Sequence, residues 1–528
     1  MGASSELWTR AAAAAADRHT IGAIGVPSPV LMERAALACA AAIEGVRAGR
    51  SVLVLCGPGN NGGDGVAIAR ILHGRGVAVR VQLLADRCEG ALAEQVAIAG
   101  RAGVTIGRGL PATADGVIVD AMLGTGAAPP LRAPYLAAVA WANAASATRV
   151  AVDLPTGIDA DSGAVGELAF CADLTITFER SKPGLHLTPA RAFVGALVVA
   201  EIGLSAGTGE LSEGTGGLSA GTGGMFAGTG GLSAGGLSEG TGPGMTLLGP
   251  GAVRGWLARL PAGAHKGERG NLGIVGGSAG TPGAAVLCGA TALRGGAGLV
   301  TIVSGDPTVQ AQLLALRPEL MVTARGEPLL PGATALVVGP GLTRAEDRVG
   351  LAGLYADDRR PAVWDASALA EIAGAKVGGP RVLTPHPAEA ARLLTARTGR
   401  PWPTAEVQAD RLAAARAIAA ATGAVVVLKG EGSVIAEAGR IAINVSGGPS
   451  LATAGTGDCL AGLIGALLVR GLGAWEAACA GVYVHGVAGE WLAVEGRSAV
   501  ALELADAIGR VLASVPTTHP RWPRAYLG

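Results

Sequence analysis

The sequence predicts two α/β domains, each a mostly parallel sheet with helices on both faces. Three observations carry that expectation. The chain has 528 residues, too many for one ordinary domain. Short apolar runs alternate with helix-like stretches along most of it, the pattern of βα units in a doubly wound sheet. One low-complexity segment, Leu204 to Gly244, interrupts that pattern near the middle.

Along the first half, Ala11 to Ala16, framed by Arg10 and Asp17, reads as the start of an amphipathic helix. It is too short and too charged at its end for a secretory signal. Strand-like runs follow at Ser51 to Cys56, Val77 to Leu84, Gly116 to Val119, Arg149 to Val152, Leu174 to Phe178 and Ala196 to Ala200. Helix-like stretches, such as Val66 to Leu72 and Leu92 to Gly100, lie between several of them. The interrupting segment repeats an imperfect seven-residue unit, L-S-A-G-T-G-E and its variants. Its glycines defeat a coiled coil and its small side chains cannot build a core, so a flexible linker is expected. Strand-like runs then resume at Leu272 to Val275, Leu299 to Val303, Ala335 to Val338, Ala362 to Trp364, Arg381 to Leu383, Val425 to Leu428 and Ile441 to Val445. The boundaries expected are a first domain over 1–204, a linker over 205–246 and a second domain over 247–528.

Composition narrows the class. Lys plus Arg equals Asp plus Glu at 41 each, so no electrostatic footprint for nucleic acid or an acidic membrane exists. The longest apolar stretches fall short of a membrane span. Seven scattered Cys, without a C-x-x-C pair, argue against zinc or a disulfide framework and fit a reducing compartment. A cytoplasmic protein acting on small molecules, and forming a homo-oligomer, is expected.

In parallel sheets ligands bind beyond the strand C-termini. In the first half, three strand-like runs end in G-P-G-N-N-G-G-D-G (Gly57 to Gly65), D-A-M-L-G-T-G (Asp120 to Gly126) and D-L-P-T-G-I-D-A-D-S-G (Asp153 to Gly163). Asn60, Asn61, Asp120, Asp153 and Thr156 would converge on one cleft, where glycines admit a diphosphate and side-chain oxygens hold a hard cation or a ribose. Singly, each is also an ordinary turn residue. The spacing departs from the dinucleotide G-x-G-x-x-G, which argues against a plain dehydrogenase.

These motifs, with T-F-E-R-S-K-P-G (Thr177 to Gly184), resemble the NAD(P)HX epimerase family in order and spacing over about Leu7 to Leu204. The resemblance implies a Rossmann-like three-layer sandwich. It implies that Asn60, Asn61, Gly62, Gly63 and Asp64 bind the hydrated dinucleotide together with Gly124, Thr125, Gly126, Ala127, Ala128, Pro129 and Pro130. It implies a potassium ion held by Asn61, Asp120 and Thr156, the last often Ser in the family. Asp153 would be the acid/base residue and Lys182 a second candidate, with a solvated loop lysine as the alternative reading.

In the second half A-T-A-G-T-G-D-C-L-A-G (Ala452 to Gly462) leads into an apolar helix. Amides of Gly455, Thr456 and Gly457 at its N-terminus make an anion site. Asp458 beside them would repel a bare phosphate, which suggests a base for an attacking hydroxyl; helix capping is the alternative. Three further pieces precede it: the basic, glycine-rich His265 to Ala285, V-V-G-P-G-L (Val337 to Leu342), and L-T-P-H-P-A-E (Leu383 to Glu389) with His386 and Glu389. V-V-V-L-K-G-E-G-S (Val425 to Ser433) adds Lys429 at a turn. His386 as a structural histidine and Lys429 as a surface charge are the alternatives.

In this order the pieces resemble the ribokinase superfamily, in its ADP- or ATP-dependent NAD(P)HX dehydratase branch, over about Leu257 to Leu512. The resemblance implies a ribokinase-like doubly wound sheet and Glu389 as organiser of magnesium and phosphate. It assigns Lys429, Gly430, Glu431, Gly432, Ser433 and Gly457 to the nucleotide, and Ala284, Gly341, His386 and Asp458 to the hydrated substrate. Cys459, aliphatic in most relatives, is a small hydrophobe when buried. Epimerisation and nucleotide-driven dehydration of hydrated NADH and NADPH are thus expected, with ADP as donor and ATP not excluded by any residue. The alternative is a vitamin-precursor kinase with a non-catalytic N-terminal scaffold.

Overall fold

A computed structural model describes residues 5–84, 87–113, 116–206, 244–257, 265–326, 329–494 and 498–514. Most of the expected linker, residues 207–243, lies outside them. The first sheet holds seven parallel strands: β1 (Val52–Cys56), β2 (Val79–Leu83), β3 (Thr105–Arg108), β4 (Val117–Ala121), β5 (Thr148–Val152), β6 (Leu174–Phe178) and β7 (Ala196–Ala200). Their spatial order is β3-β2-β1-β4-β5-β6-β7. The order reverses between β1 and β4, so the loops after these two strands flank a crevice.

The second sheet has ten strands. They are β8 (Gly244–Leu247), β9 (Asn271–Val275), β10 (Leu299–Val303), β11 (Met321–Thr323), β12 (Ala335–Val338), β13 (Ala362–Trp364), β14 (Arg381–Leu383), β15 (Val425–Leu428), β16 (Ser433–Glu437) and β17 (Arg440–Asn444). The order β11-β10-β9-β12-β13-β14-β15-β16-β17-β8 places its switch point between β9 and β12. The strands pair in parallel except at the hairpin neighbours β15–β16 and β16–β17. Strands such as β1, β4, β12 and β15 are buried along their whole length, as parallel strands covered on both faces must be. Among the described residues no helix is long and apolar enough to cross a membrane.

Three features depart from the expectations. β8 begins at Gly244 and joins the second sheet, so the last three residues of the stretch expected as linker, 244–246, are strand. The strands β3, β8, β11 and β16 were not expected; β3 and β11 are exposed, short edge strands with little apolar signal. N-N-G-G-D-G is helical, because the helix after β1 spans Asn60–Gly74. Its glycines serve close packing: a Cβ on Gly62 would overlap the Gly57 carbonyl oxygen, and one on Gly65 would sit 2.5 Å from Ala121 Cβ.

With few aromatic side chains, the second core relies on small residues at helix crossings. The helices Pro282–Gly295 and Thr456–Val469 pack together where a Cβ on Gly462 would overlap the Cys288 carbonyl oxygen and one on Gly295 would lie 2.7 Å from Ala466 Cβ. Gly462→Ala should therefore lower the urea midpoint of the second domain by an amount equivalent to about 1–3 kcal/mol. Gly374→Ala, where a Cβ meets nothing within 4 Å, should not; equal midpoints for the two variants would contradict this packing.

Candidate active sites

In the first domain the strand-end loops converge as expected. Asp120, the fourth residue of β4, is fully buried and points at the loop after β5. The Thr156 amide donates to its Oδ2 at 2.7 Å, and the Thr156 hydroxyl donates to its Oδ1 at 2.8 Å. The Met122 amide donates to the same Oδ1 at 3.1 Å. Burial raises the Asp120 pKa to about 6 against these three hydrogen bonds.

Asp153 follows β5 directly and holds a positive φ of 67°, a conformation a β-carbon disfavours. It links two sides of the crevice. The Thr125 amide donates to its Oδ2 at 3.0 Å, and Lys182 Nζ lies 3.0 Å from its Oδ1. Lys182 is buried, and its ammonium also donates to Thr177 Oγ1 at 2.8 Å and to the Phe178 carbonyl at 3.1 Å. The reading of Lys182 as a solvated loop residue therefore fails. A Cβ on Gly124 would lie 3.0 Å from Asp153 Oδ2 and 3.4 Å from Asn61 Cβ, so Asn61, Gly124 and Asp153 share one surface.

Asn61 is buried, and among the described residues neither its Oδ1 nor its Nδ2 has a partner. Orphaned buried amides are costly and call for a ligand. Asn61 Oδ1, the Asp120 carboxylate and the Thr156 hydroxyl are hard oxygen donors that fit a potassium ion. Asn60, by contrast, is exposed at the first helical position. Asp64 lies further along the same helix; burial, with Asp153 second, raises its pKa well above the usual carboxylate range. In the Gly124 to Pro130 loop, the Ala127 amide donates to the Gly124 carbonyl at 3.0 Å. Arg10 Nη2 pins the same loop through the Ala127 carbonyl at 2.9 Å. Leu123, Gly124, Ala127, Ala128 and Thr156 line one shallow pocket.

The second site gathers around an ion pair whose aspartate is buried and whose lysine is part-exposed. Lys429, the residue after β15, places Nζ 2.8 Å from Oδ1 of Asp365, the residue after β13. The Thr384 hydroxyl, after β14, donates to the same oxygen at 2.7 Å. Asp365 was missed in the sequence, although the strand-end rule applied to A-V-W-D would have found it. Burial opposes the Lys429 charge, but Asp365, Glu389 and Asp458 hold its pKa above the usual lysine value. Lys429 is thus no free surface charge.

Gly455, not Asp458, is the N-cap of the helix Thr456–Val469, with φ at 88°. That leaves Asp458 in the first turn without a capping role. Burial first, then Asp365, raises its pKa to about 7, with Lys429 opposing. A carboxylate poised near neutrality suits proton transfer. A Cβ on Gly457 would lie 3.5 Å from Lys429 Nζ, so the lysine faces the glycine turn. His485, also missed in the sequence, places Nε2 2.9 Å from the Thr456 carbonyl beneath that turn.

His386 and Glu389 form a capping box at the helix Pro387–Thr398. His386 Nδ1 accepts from the Glu389 amide at 3.4 Å, and Glu389 Oε2 accepts from the His386 amide at 2.9 Å. His386 is half-exposed and Glu389 nearly buried. Glu389 lies near enough to Lys429 to raise the lysine's pKa, and one carboxylate beside such a lysine is the usual protein share of a magnesium site, so Glu389 fits that ion. Ala284 and Gly341 meet each other at the β9–β12 switch point, where a Cβ on Gly341 would lie 3.1 Å from Ala284 Cβ. Gly430, Gly432 and Ser433 form the β15–β16 turn, with the Ser433 hydroxyl donating to the Gly430 carbonyl at 2.8 Å. Glu431 turns its carboxylate away, toward Arg191 of the first domain at 3.7 Å. Among the described residues no three His, Cys, Asp or Glu form a metal cluster.

Comparison with known proteins adds the following. A family profile described as NAD(P)H-hydrate dehydratase matches residues 272–510. A second, described as YjeF-related protein N-terminus, matches residues 28–184. The bifunctional NAD(P)H-hydrate repair enzyme Nnr of Escherichia coli (strain K12) is 35% identical over 478 residues, covering 88% of this chain and 85% of the relative. The enzyme of the same name from Moorella thermoacetica is 35% identical over 536 residues, covering 94% of each. A solved ADP/ATP-dependent NAD(P)H-hydrate dehydratase from Bacillus subtilis, co-crystallized with ATP/Mg2+, is 33% identical over 51% of this chain and 98% of its own, with a TM-score of 0.46.

The Asp365 charge next to Asp458 makes a pH dependence predictable. If Asp458 must be ionised to act, kcat/KM at this site should fall tenfold per pH unit below about 7 and level off above. In Asp365→Asn that midpoint should move to lower pH, since a like charge is lost and Lys429 is freed. An unmoved midpoint in the variant would contradict this electrostatic account.

Proposed function

This chain belongs to the bifunctional NAD(P)H-hydrate repair enzymes, and we propose that Asp153 and Asp458 carry its two activities, epimerisation and dehydration of hydrated NADH and NADPH. The N-terminal domain interconverts the R and S hydrates. The C-terminal domain returns the S hydrate to the reduced dinucleotide using a nucleotide co-substrate, which we take to be ADP. The observation that carries the reading is Asp458: a carboxylate raised to about 7 in the first turn of an amide-rich helix start, facing Lys429.

In dehydration, Asp458 takes the proton from the ring hydroxyl, and that oxygen attacks the terminal phosphorus of the nucleotide. The bond to the nucleoside phosphate breaks, giving AMP from ADP. Amides of Gly455, Thr456 and Gly457 and the Lys429 ammonium stabilise charge on the transferring group. The ring-nitrogen lone pair then expels phosphate, and the departing phosphate takes a proton from the carbon next to the one it leaves, restoring the dihydropyridine. Glu389 would hold a magnesium ion, which would supply charge neutralisation at the nucleotide phosphates. His386, Ala284 and Gly341 line the substrate side, while Gly430, Gly432 and Ser433 offer backbone and hydroxyl groups to phosphate. Glu431 contributes at most its backbone there, because its side chain faces Arg191.

In epimerisation, Asp153 gives and takes the proton as hydroxide leaves and returns on the other face of the ring. Lys182, 3.0 Å away, orients that carboxylate. Asn61 to Asp64 and Gly124 to Pro130 receive the dinucleotide, and Asn61, Asp120 and Thr156 would hold a potassium ion, which would offset diphosphate charge. Seven free cysteines agree with a cytoplasmic setting.

The two sites should separate cleanly by mutation. Asp458→Ala should lower nucleotide-dependent recovery of reduced-nicotinamide absorbance by about 100-fold or more and leave epimerisation intact. Asp153→Asn should do the reverse, so that recovery from a mixture of epimers stops when the S hydrate is exhausted. Loss of both activities in either variant, with the fold intact by circular dichroism, would overturn the assignment.

A further inference from the structure

The nucleotide turn of the second domain does not stand alone. From behind, buried Arg411 braces it: Nη2 donates to the Leu428 carbonyl at 3.1 Å and to the Lys429 carbonyl at 3.2 Å. Its front lies against the first domain. A Cβ on Gly432 would sit 2.6 Å from the His186 carbonyl oxygen, so backbone meets backbone there. Gly432 also has φ at 66°, which a larger residue resists. The Thr188 hydroxyl donates to Glu431 Oε2 at 3.3 Å, and Arg191 Nε lies 3.7 Å from Glu431 Oε1. The same guanidinium donates from Nη1 and Nη2 to the Val445 carbonyl, both at 3.3 Å. Val445 follows β17 and begins the segment that leads to the Gly455 turn.

Arg191 therefore grips both chain segments that frame the nucleotide phosphates, from a domain that has no share in that chemistry. The N-terminal residues hold the two domains in register. The Leu7 amide donates to the Met245 carbonyl at 2.9 Å and the Leu247 amide to the Ser5 carbonyl at 2.7 Å, an isolated antiparallel bridge beside β8. The Trp8 amide donates to the Ser181 carbonyl at 2.9 Å, one residue before Lys182. Leu7 and Leu187 are buried in the core of the second domain.

We infer that Arg191 of the epimerase domain is a positioning residue for the dehydratase reaction, setting the β15–β16 turn and the Val445 segment for the nucleotide phosphates. The inference rests on reading Lys429 to Ser433 as the nucleotide turn. An Arg–Glu pair this exposed adds little to stability. Its effect is on where the turn sits, and so on nucleotide affinity.

The test is steady-state dehydration by the full chain at saturating S hydrate, with ADP varied, for Arg191→Lys, Arg191→Ala and Arg191→Glu. The expected KM for ADP rises along that series, by about threefold to tenfold in Arg191→Ala and further in Arg191→Glu, with kcat within about twofold of wild type. The KM for the hydrate, the epimerisation rate and the melting temperature should stay unchanged. Arg191→Ala combined with Glu431→Ala should match the single variants rather than add to them. An unchanged ADP KM in Arg191→Glu, or an equal rise for both substrates, would overturn the inference. Lys429→Ala serves as the control: if it leaves ADP kinetics unchanged, the nucleotide reading itself falls, whatever Arg191 does.

Discussion

Each half of this molecule is organised around one lysine–aspartate pair set beyond the ends of parallel strands, buried in the first half and partly open to solvent at the lysine in the second. Asp153 follows β5 and meets Lys182; Asp365 follows β13 and meets Lys429. Burying such a pair wins little net stability, because desolvation offsets most of the attraction. What the pair gives is placement. Asp153 is fixed between the Thr125 amide and Lys182, and Lys429 is fixed facing the glycine turn that carries Asp458. The parallel sheet makes this possible, since it delivers successive loops to the same edge. The Asp365 charge also helps to hold the Asp458 carboxyl near neutrality, which joins the architecture of the second site to its chemistry.

The two sites differ in how they meet the substrate. In the first, both Asn61 amide atoms are buried and without partners among the described residues. In the second, the attracting groups are backbone amides at a helix start, with one cation and one carboxylate beside them. A dinucleotide must be gripped and its ring carbon turned over in the first case. A phosphoryl group must pass to a hydroxyl in the second, where preorganised donors matter most.

Much of this was legible in the sequence because motifs at strand ends are local. Asp120, Asp153, Thr156, Lys429 and Asp458 sit in short runs whose spacing already implies their placement. Local reasoning failed where the signal is not local. The glycines of N-N-G-G-D-G suggest room for a diphosphate, yet the segment is helix, and only its contacts with Gly57 and Ala121 reveal that Gly62 and Gly65 serve packing. β8 is hidden at the end of a glycine-rich stretch, and its partner β17 lies almost two hundred residues further on. The approach of Arg191 to Glu431 and Val445 leaves no trace in either motif, because it exists only when both domains are folded against each other.

The central claim is that phosphorylation in the second domain is a step toward elimination rather than the end of the reaction. Product analysis tests it most directly: the chain is incubated with a mixture of R and S hydrated NADH, ADP and Mg2+, and dinucleotide, AMP and phosphate are counted together. The account predicts one AMP and one inorganic phosphate for every NADH regained, with both epimers consumed to completion. Accumulation of a stable phosphorylated dinucleotide, or nucleotide turnover without return of NADH, would contradict it.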